Sequence, residues 1–382
     1  MKKILIATGI FPPDIGGPAT YADMVAKALV ERNFDVKIIT YSKAKTPKDE
    51  KTNISRVSKK WPWFIRHIIY ATKIFFAGRK CDIIYSLSTI NGSIPSLISA
   101  KFFKKKFYIR IAGDYAWQVA MEKEKTELMI DDFQKGRKKG WIKFLFGLQK
   151  SLCKKADLVI VPSEYLECIV KKWGVAEDKI KVIYNAVELK PSIISKEEAR
   201  NKIGIHGNII MSIGRLAPWK GFKMLIKIMP KLLELNQFFR LVIIGDGPDK
   251  KNLEAMIKNL GLDKKVYLLG KKPQNELPLY LAAADVFVLN SGYEGFSHQI
   301  LESMALGVPV IASAVMGNRE LIHQGQNGFM VKYNDEFNLI EAIKTLHQDD
   351  AMKNQFIAEG KKTAEFFSVD KMIGETEKIF NF

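Results

Sequence analysis

The feature that most constrains the fold is an alternation of short β-rich runs with helical patterns, which occurs twice along the chain. Such an alternation is typical of parallel sheets covered by helices on both faces. The predicted strands are KILIATGI, VKIITYS, DIIYSLS, FYIRIAG, DLVIVPS and KVIYNAV in the first half, and IIMSIGR, RLVIIGDG, KVYLLG, DVFVLNS, VPVIAS and NGFMVK in the second. We therefore predict an α/β protein with two doubly wound, Rossmann-like domains that face each other across a cleft.

The boundary between the two domains is predicted in VELKPSIISKEEAR, which carries a proline and no strand pattern, with the linker near 188–197. We assign residues 1–187 to an N-terminal domain and residues 188–365 to a C-terminal domain. Residues 366–382 are predicted to form a helix that packs back on the N-terminal domain. Ligands of open parallel sheets bind beyond the carboxyl ends of the strands, so the ligand is expected in the cleft between the domains.

Positive charge is concentrated in the first half of the chain. Residues 1–190 contain 36 Lys and Arg against 19 Asp and Glu, whereas residues 191–382 contain 24 against 22. Within 51–155 the counts are 23 and seven, and basic residues alternate there with aromatic ones, as in KKWPWFIRHIIYATKIFFAGRK, KFFKKKFY and KGRKKGWIKFLFGLQKSLCKK. This composition suits an anionic membrane surface. The alternative is that the apolar side chains face the core and the lysines are only solvated.

The sequence has no stretch of roughly 18–20 uncharged apolar residues that could span a bilayer. The opening MKKILIATGIF resembles a short signal peptide, but it meets PPDIGG without a small-residue cleavage site and fits a buried first strand better. The cysteines, Cys81, Cys153 and Cys168, form neither a disulfide framework nor a zinc pattern. We therefore expect a cytoplasmic protein that is peripheral at the inner face of the cell membrane.

The stretch YEGFSHQILE places Glu294 and Glu302 on either side of a predicted strand-to-helix turn. A helix N-terminus binds anions, and Gly295 would let the backbone approach a phosphate closely. Two carboxylates would repel that phosphate unless they accepted hydrogen bonds from hydroxyls elsewhere on the ligand. A nucleotide sugar, with its diphosphate between two polyhydroxyl rings, meets both demands. The alternative is that Glu302 only interacts with the helix dipole and Glu294 is solvated.

A second stretch, SIGRLAPWKG, places Arg215 and Lys220 in the loop after another predicted strand. Fixed cations there could hold a diphosphate and stabilise the charge that develops on it as a sugar departs. In the first half, FPPDIGGPATY carries Gly16 and Gly17, whose backbone N–H groups could also meet a phosphate, although a glycine pair more often marks a turn. This loop does not match the G-x-G-x-x-G dinucleotide fingerprint.

Together these motifs resemble the retaining glycosyltransferases of family 4, which have the GT-B fold. The resemblance rests on GRL and KG within 214–221 and on EGF followed by a second glutamate after seven intervening residues. It extends through IGDGP, YLLG, ADVFVLNS, ALGVPVIAS and NGFMV. It implies transfer of a hexose-type sugar from a UDP-, GDP- or ADP-sugar to a glycan or lipid-linked acceptor in cell-surface polysaccharide or glycolipid synthesis. It also implies that no cofactor and no divalent metal are needed.

The resemblance further implies roles for individual residues. Arg215 and Lys220 would hold the diphosphate, Glu302 would accept from the ribose hydroxyls, and Glu294 would contact the transferred sugar. Gly270 and Lys271 would lie near the base. The residues expected to bind the donor are Gly16, Gly17, Gly214, Arg215, Lys220, Gly245, Gly270, Lys271, Glu294, Gly295, Phe296, Ser297, Gln299, Ile300 and Glu302. Those expected to take part in catalysis are Glu294, Asp114, Arg215 and Lys220.

The sequence departs from the family pattern at two places. Many members have a histidine after the strand that is FYIRIAG here, whereas this chain continues with Gly113 and Asp114. Asp114 either bonds a hydroxyl of the donor sugar, or orients the acceptor, or caps a helix. Ser297 stands where a glycine is usual, and His298 is expected to be a helix-start residue rather than a catalytic one.

Two other classes of function compete with this interpretation. Basic patches with aromatic residues also bind RNA or single strands, but that function explains neither the balanced second half nor the paired glutamates. We therefore expect no nucleic-acid partner. Another GT-B enzyme, such as a nucleotide-sugar epimerase or a phosphorylase, would share the donor motifs and differ in the reaction.

Overall fold

The computed structural model describes residues 1–14, 16–42, 53–188 and 194–381. Of the predicted linker, residues 189–193 lie outside the described residues. The contacts divide the chain into two compact units: unit 1 consists of Met1–Val119, Gly136–Asn185 and Asp370–Phe382, and unit 2 consists of Ala120–Lys135 and Ala186–Val369.

Each unit is an α/β layer structure, which confirms the predicted fold class. The strands are β1 (Lys3–Ala7), β2 (Asp35–Ser42), β3 (Asn53–Ser58), β4 (Ile83–Ser86), β5 (Lys106–Arg110), β6 (Leu158–Val161), β7 (Ile180–Val182), β8 (Asn208–Ile213), β9 (Phe239–Ile244), β10 (Val266–Leu268), β11 (Val286–Leu289), β12 (Val310–Ser313) and β13 (Phe329–Val331). The helices are α1 (Gly17–Glu31), α2 (Trp63–Gly78), α3 (Ser93–Phe102), α4 (Tyr115–Glu122), α5 (Ile130–Lys135), α6 (Gly140–Lys155), α7 (Glu164–Lys172), α8 (Lys196–Ile203), α9 (Phe222–Leu235), α10 (Lys250–Asn259), α11 (Leu277–Ala283), α12 (His298–Ala305), α13 (Met316–Arg319), α14 (Glu336–Gln348), α15 (Asp350–Phe366) and α16 (Val369–Asn381).

Unit 1 is built on a parallel sheet whose order, over the described residues, is β3-β2-β1-β4-β5-β6-β7. Its central strands are apolar on both faces because helices cover both sides of the sheet. The order reverses direction between β1 and β4, so this gap is the topological switch point of unit 1. The edge strand β3, NISRVS, is absent from the predicted strands. It is polar and half-exposed, and within the described ranges it pairs with β2 alone.

Helices α2, α3 and α6 of unit 1 lie on one face of its sheet. Right-handed crossovers place α2, α3 and α6 on the same face, and α3 contacts both of the others. On α2, Tyr70 and Ile74 are buried against the sheet, whereas Trp63 and Phe76 are exposed. Helix α16 also packs in unit 1, with Phe380 fully buried. The aromatic side chains of these helices are therefore divided between core and solvent.

Unit 2 has a parallel sheet with the order β10-β9-β8-β11-β12-β13 in the described part of the chain. Its core lies between the sheet and the apolar faces of α9, α10, α14 and α15. The chain passes outward from β8 through β9 to β10 and then starts again at β11, next to β8. The switch point of unit 2 therefore lies between β8 and β11, where the two motif-bearing loops emerge.

Candidate functional site

The loops after β8 and β11 touch along their backbones at the switch point of unit 2. The Asn290 side-chain Nδ2 donates to the Gly221 carbonyl at 3.2 Å, and the Gly292 N–H donates to the Trp219 carbonyl at 2.7 Å. Gly221 has a φ of 65°, and a Cβ at this position would overlap the Asn290 backbone oxygen. Only glycine combines this left-handed conformation with so close an approach. The sequence fragments that predicted the site are thus held side by side.

Lys220 and Glu294 form an ion pair at the centre of these loops. The Lys220 Nζ lies 2.5 Å from the Glu294 Oε1, and the two side chains are only 15% and 10% exposed. A Cβ on Gly317, at the start of α13, would overlap the Glu294 carbonyl, so a third loop packs directly behind this pair. The two charged groups predicted to bind the diphosphate and the sugar are therefore brought together by the fold.

Arg215 pairs with a residue that the sequence did not single out. Its Nη1 atom lies 2.7 Å from the Glu122 Oε1, and the guanidinium side chain is 55% exposed. Glu122 belongs to the segment Ala120–Lys135, which is part of unit 2 although it lies within the first half of the sequence. In the same segment, the Met129 sulfur would lie 2.8 Å from a Cβ on Gly292. This segment therefore packs against both motif-bearing loops.

Glu302 lies in the second turn of α12 and is only partly exposed. Its Oε1 atom accepts a hydrogen bond of 2.6 Å from the Gln274 Nε2. Burial raises the pKa of the Glu302 carboxyl to about 7, and the Gln274 hydrogen bond opposes that shift. Its Oε2 atom is buried and has no hydrogen-bond partner among the residues that the structure describes. A shifted pKa beside an unsatisfied buried oxygen marks a functional-site candidate.

Ser297 is the N-cap of α12, and its Oγ accepts from the Ile300 N–H at 3.3 Å. The Phe296 side chain is buried against Phe367, and the Ile300 side chain is fully buried. A donor could therefore contact Phe296 and Ile300 only through their backbones. Gln299 is partly exposed in the first turn of α12, and His298 begins the helix.

The remaining predicted donor residues lie at the ends of β8, β9 and β10. The Gly214 N–H donates to the Ile244 carbonyl, and the Gly245 N–H donates to the Gly270 carbonyl, each at 2.9 Å. A Cβ on Gly245 would overlap the Gly214 carbonyl oxygen, so the carboxyl ends of β8 and β9 are in contact at these two glycines. Lys271 follows as an exposed cation. The structure therefore places every predicted donor residue of unit 2 along one edge of the sheet.

The predicted site residues of unit 1 lie at its own switch point and beside it. Gly16 is the N-cap of α1, and Gly17 is the first residue of that helix, which follows the central strand β1. Asp114 is fully buried, and its Oδ1 accepts from the Trp117 N–H at 2.9 Å and from the Gln149 Nε2 at 2.8 Å. The Trp117 contact is that of a helix cap at the start of α4, and the Gln149 contact ties this cap to α6. A catalytic role for Asp114 stays a prediction.

Among the described side chains, no cluster of three or more His, Cys, Asp and Glu residues has the geometry to hold a metal ion. Over the same part of the chain, no helix combines the length and the apolar character that crossing a bilayer requires.

Two family models match the chain in sequence. Glycosyltransferase Family 4 matches residues 15–190, and Glycosyl transferases group 1 matches residues 195–363. A solved structure, Anabaena HepE in complex with UDP and glucose, has 21% sequence identity and a TM-score of 0.81, and each chain is covered completely. These likenesses and the two parallel sheets define a glycosyltransferase with the GT-B fold. Within that class, the chain belongs to glycosyltransferase family 4.

Two curated relatives add sequence likeness over part of their length. The N-acetylgalactosamine-N,N'-diacetylbacillosaminyl-diphospho-undecaprenol 4-alpha-N-acetylgalactosaminyltransferase of Campylobacter jejuni is 32% identical over 238 residues, which cover 62% of each chain. The UDP-Gal:alpha-D-GlcNAc-diphosphoundecaprenol alpha-1,3-galactosyltransferase of Escherichia coli is 29% identical over 231 residues, which cover 58% of this chain and 59% of the relative. This chain therefore spans less than two thirds of the length of these relatives.

Proposed function

We propose that the protein is a retaining glycosyltransferase that moves a hexose-type sugar from a nucleotide diphosphate sugar to a lipid-linked or glycan acceptor. This transfer would be a step in the synthesis of cell-surface polysaccharide or glycolipid. The observation that carries the proposal is the Lys220–Glu294 pair, which lies on the same sheet edge as Arg215 and Glu302. Cations for a diphosphate and carboxylates for hydroxyls are both present there. The names of the two curated relatives specify diphospho-undecaprenol acceptors, which supports a lipid-linked acceptor here.

In the proposed reaction, the bond between the sugar C1 and the donor phosphate oxygen breaks, and a bond from C1 to the acceptor oxygen forms on the same face. The acceptor proton passes to an oxygen of the departing diphosphate. Arg215 and Lys220 stabilise the negative charge that develops on this leaving group. Because these two side chains supply the positive charge, the proposal includes no divalent metal and no cofactor. Glu294 orients the transferred sugar through a hydroxyl, and Glu302 binds the ribose.

The donor-binding step is tested by thermal shift with UDP-, GDP- and ADP-sugars, because a ligand that binds the native state raises its melting temperature. UDP-sugars come first because the name of the E. coli relative specifies UDP-Gal. We expect stabilisation by one base class, and its loss in Lys220→Gln. The control is Lys258→Gln, which removes an exposed lysine of α10. Stabilisation that is equal in all three proteins would contradict the assigned role of Lys220.

The reaction itself is tested by measuring nucleoside diphosphate release with and without a diphospho-undecaprenol-linked sugar as acceptor. A transferase of this kind releases the diphosphate in quantity only when acceptor is present. An epimerase would alter the donor without acceptor, and a phosphorylase would require inorganic phosphate. Retention of RNA that survives Glu302→Ala would instead favour a nucleic-acid-binding protein.

We further propose that unit 1 binds the anionic inner face of the cell membrane. Four aromatic side chains on α2, α3 and α6 support this: Trp63, Phe76, Phe102 and Trp141 are 69%, 68%, 71% and 60% exposed. These helices share one face of the sheet and belong to the region 51–155, in which cations outnumber anions by 23 to seven. Apolar side chains that enter the interface and cations that attract anionic lipids act together. A lipid-linked acceptor would be presented at such a surface.

Vesicle flotation tests this membrane contact. We expect the protein to float with vesicles that contain phosphatidylglycerol at low salt, and to bind them less at high salt because surface electrostatics are screened. The double variant Trp63→Ser/Trp141→Ser should bind less. Phe337→Ser, which removes an aromatic side chain that is 72% exposed in unit 2, serves as control and should bind normally. A protein that ignores anionic vesicles at low salt would refute the contact.

A further inference from the structure

One hydrogen bond joins the predicted ribose-binding carboxylate to a residue that no sequence motif indicated. Gln274 begins the short 3-10 turn Gln274–Glu276 in the loop after β10, and Glu302 lies on α12. The Gln274 Nε2 donates to the Glu302 Oε1 at 2.6 Å. A hydrogen bond to an ionised acceptor is short and directional, so it fixes the plane of the carboxylate. Gln274 belongs to a loop and Glu302 to a helix at the same sheet edge, which makes the contact a tertiary one.

The other oxygen of the same carboxylate is left unsatisfied. Glu302 Oε2 is buried, and no donor within the described ranges reaches it. A buried acceptor without a partner is unfavourable, and such groups are rare in native proteins. The carboxylate therefore has one oxygen held by Gln274 and one oxygen whose hydrogen-bonding capacity no donor of the described residues fills. A ribose hydroxyl is a donor of this kind.

We propose that Gln274 is a positioning residue, which holds one oxygen of the Glu302 carboxylate so that the other accepts a hydrogen bond from a ribose hydroxyl of the donor nucleotide. This inference rests on the proposed function, because it assumes that Glu302 binds the ribose. Gln274 acts in two ways. Its N–H fixes the orientation of the carboxylate, and as a donor it favours the ionised form, which is the better acceptor. Without the amide, neither carboxylate oxygen would have a hydrogen-bond partner among the described residues.

The competing explanation is that Gln274 only ties the β10 loop to α12. That role would affect stability, but it would not make nucleotide affinity depend on a particular hydroxyl. The discriminating measurement is therefore the ratio of affinities for a ribonucleotide and for its deoxy form, because an overall change in the fold of the site weakens both ligands together.

The experiment measures the Kd values of UDP, 2′-deoxy-UDP and 3′-deoxy-UDP by calorimetry at pH 8, with the GDP and ADP series in parallel. For the base that binds, we expect wild type to prefer the ribonucleotide over one deoxy form by about tenfold to a hundredfold. Gln274→Leu and the isosteric Gln274→Glu should reduce that preference to about twofold or less. The control is Asn275→Leu, which removes an exposed amide from the same turn and should leave the preference unchanged.

The outcomes distinguish a failure of the positioning role of Gln274 from a failure of the proposed function. If a nucleoside diphosphate binds and its preference over the deoxy forms survives in both Gln274 variants, the positioning role is wrong and the proposed function stands. If no nucleoside diphosphate of the three series binds to wild type, both the proposed function and the role of Gln274 are refuted. Loss of the preference in the Asn275→Leu control would show that the turn as a whole, rather than the Gln274 amide, determines it.

Discussion

At the scale of single residues, Glu302 makes the stability of the protein depend on pH. Burial raises the pKa of its carboxyl from 4.5 to about 7 in the folded state. Between these values the folded chain keeps a proton that the unfolded chain has released. The contribution of this group is therefore largest at low pH and is lost as the pH rises through about 7.

Glu302→Gln should remove this dependence. Between pH 5 and pH 8, we expect the variant to lose about 2 kcal/mol less free energy of unfolding than wild type does. Urea denaturation at both pH values measures the difference. Glu365→Gln, which changes an exposed glutamate of α15, is the control and should follow wild type. If wild type and Glu302→Gln lose the same stability over this range, the Glu302 carboxyl does not titrate near neutral pH.

The Lys220–Glu294 pair predicts strong coupling between its two members. Removal of either charge leaves the other largely buried and unpaired. We expect Lys220→Gln and Glu294→Gln each to destabilise the protein by about 2–3 kcal/mol, and the double variant to lose less than the sum of the two. Urea denaturation of the four proteins gives the coupling energy directly. Purely additive losses would mean that the pair contributes nothing as a pair.

The residues of the site differ in how far the sequence reveals them. Lys220 and Glu294 stand out because each sits in a charged loop directly after an apolar strand, and these strands prove to be neighbours. Gln274 also follows a strand, but its side chain is an uncharged amide, and Glu122 ends helix α4. The part that each of them plays in the site is visible only from its contact with a residue at least 28 positions away, and only folding creates that contact.

At the scale of elements, the contact between the β8 and β11 loops depends on a glycine. Gly221→Ala should be much more damaging than Gly261→Ala. Both positions are left-handed, with φ values of 65° and 63°, but an alanine at 221 would also overlap the Asn290 carbonyl, whereas position 261 has open space. We expect a loss of roughly 1 kcal/mol at 261 and at least about 3 kcal/mol at 221, together with loss of donor binding at 221 only.

Thermal denaturation, with and without the nucleotide sugar that stabilises wild type, measures both effects. Because the backbone strain is matched, the difference between the two variants reports the overlap with Asn290. Equal destabilisation by the two substitutions would show that the loops can separate without consequence for the site.

The hydrophobic pattern of the sequence explains why nearly all strands of the two sheets could be predicted. The twelve predicted strands are all present in the described part of the chain, because each contains an apolar run. This run is buried in the central strands and partly exposed in the edge strands β7, β10 and β13. Strand β3 was missed because an edge strand that is half-exposed needs no such run. The assignment of Ala120–Lys135 to unit 2 was also unforeseen, since nothing in the local pattern shows which sheet a connecting segment packs on.

At the scale of the whole molecule, the chain returns to unit 1 after completing unit 2. Helix α16 places Phe380 against Tyr85 at 5.4 Å and stacks it on Tyr108 at 5.8 Å between ring centroids. Its Ile373 and Met372 are buried as well. Helix α16 is thus part of the core of unit 1. The stability of unit 1 therefore depends on a helix that follows unit 2 in the sequence.

Phe380→Ala should consequently weaken unit 1 rather than unit 2. Removal of a fully buried phenylalanine costs about 3–5 kcal/mol. Five of the six tryptophans belong to unit 1, so intrinsic fluorescence reports mainly on that unit. We expect a lower urea midpoint by fluorescence for Phe380→Ala, and a wild-type midpoint for the exposed Phe337→Ala control. Nucleoside diphosphate binding, which the proposal assigns largely to unit 2, should persist below the transition. Loss of that binding in folded Phe380→Ala would mean that the C-terminal helix also supports the donor site.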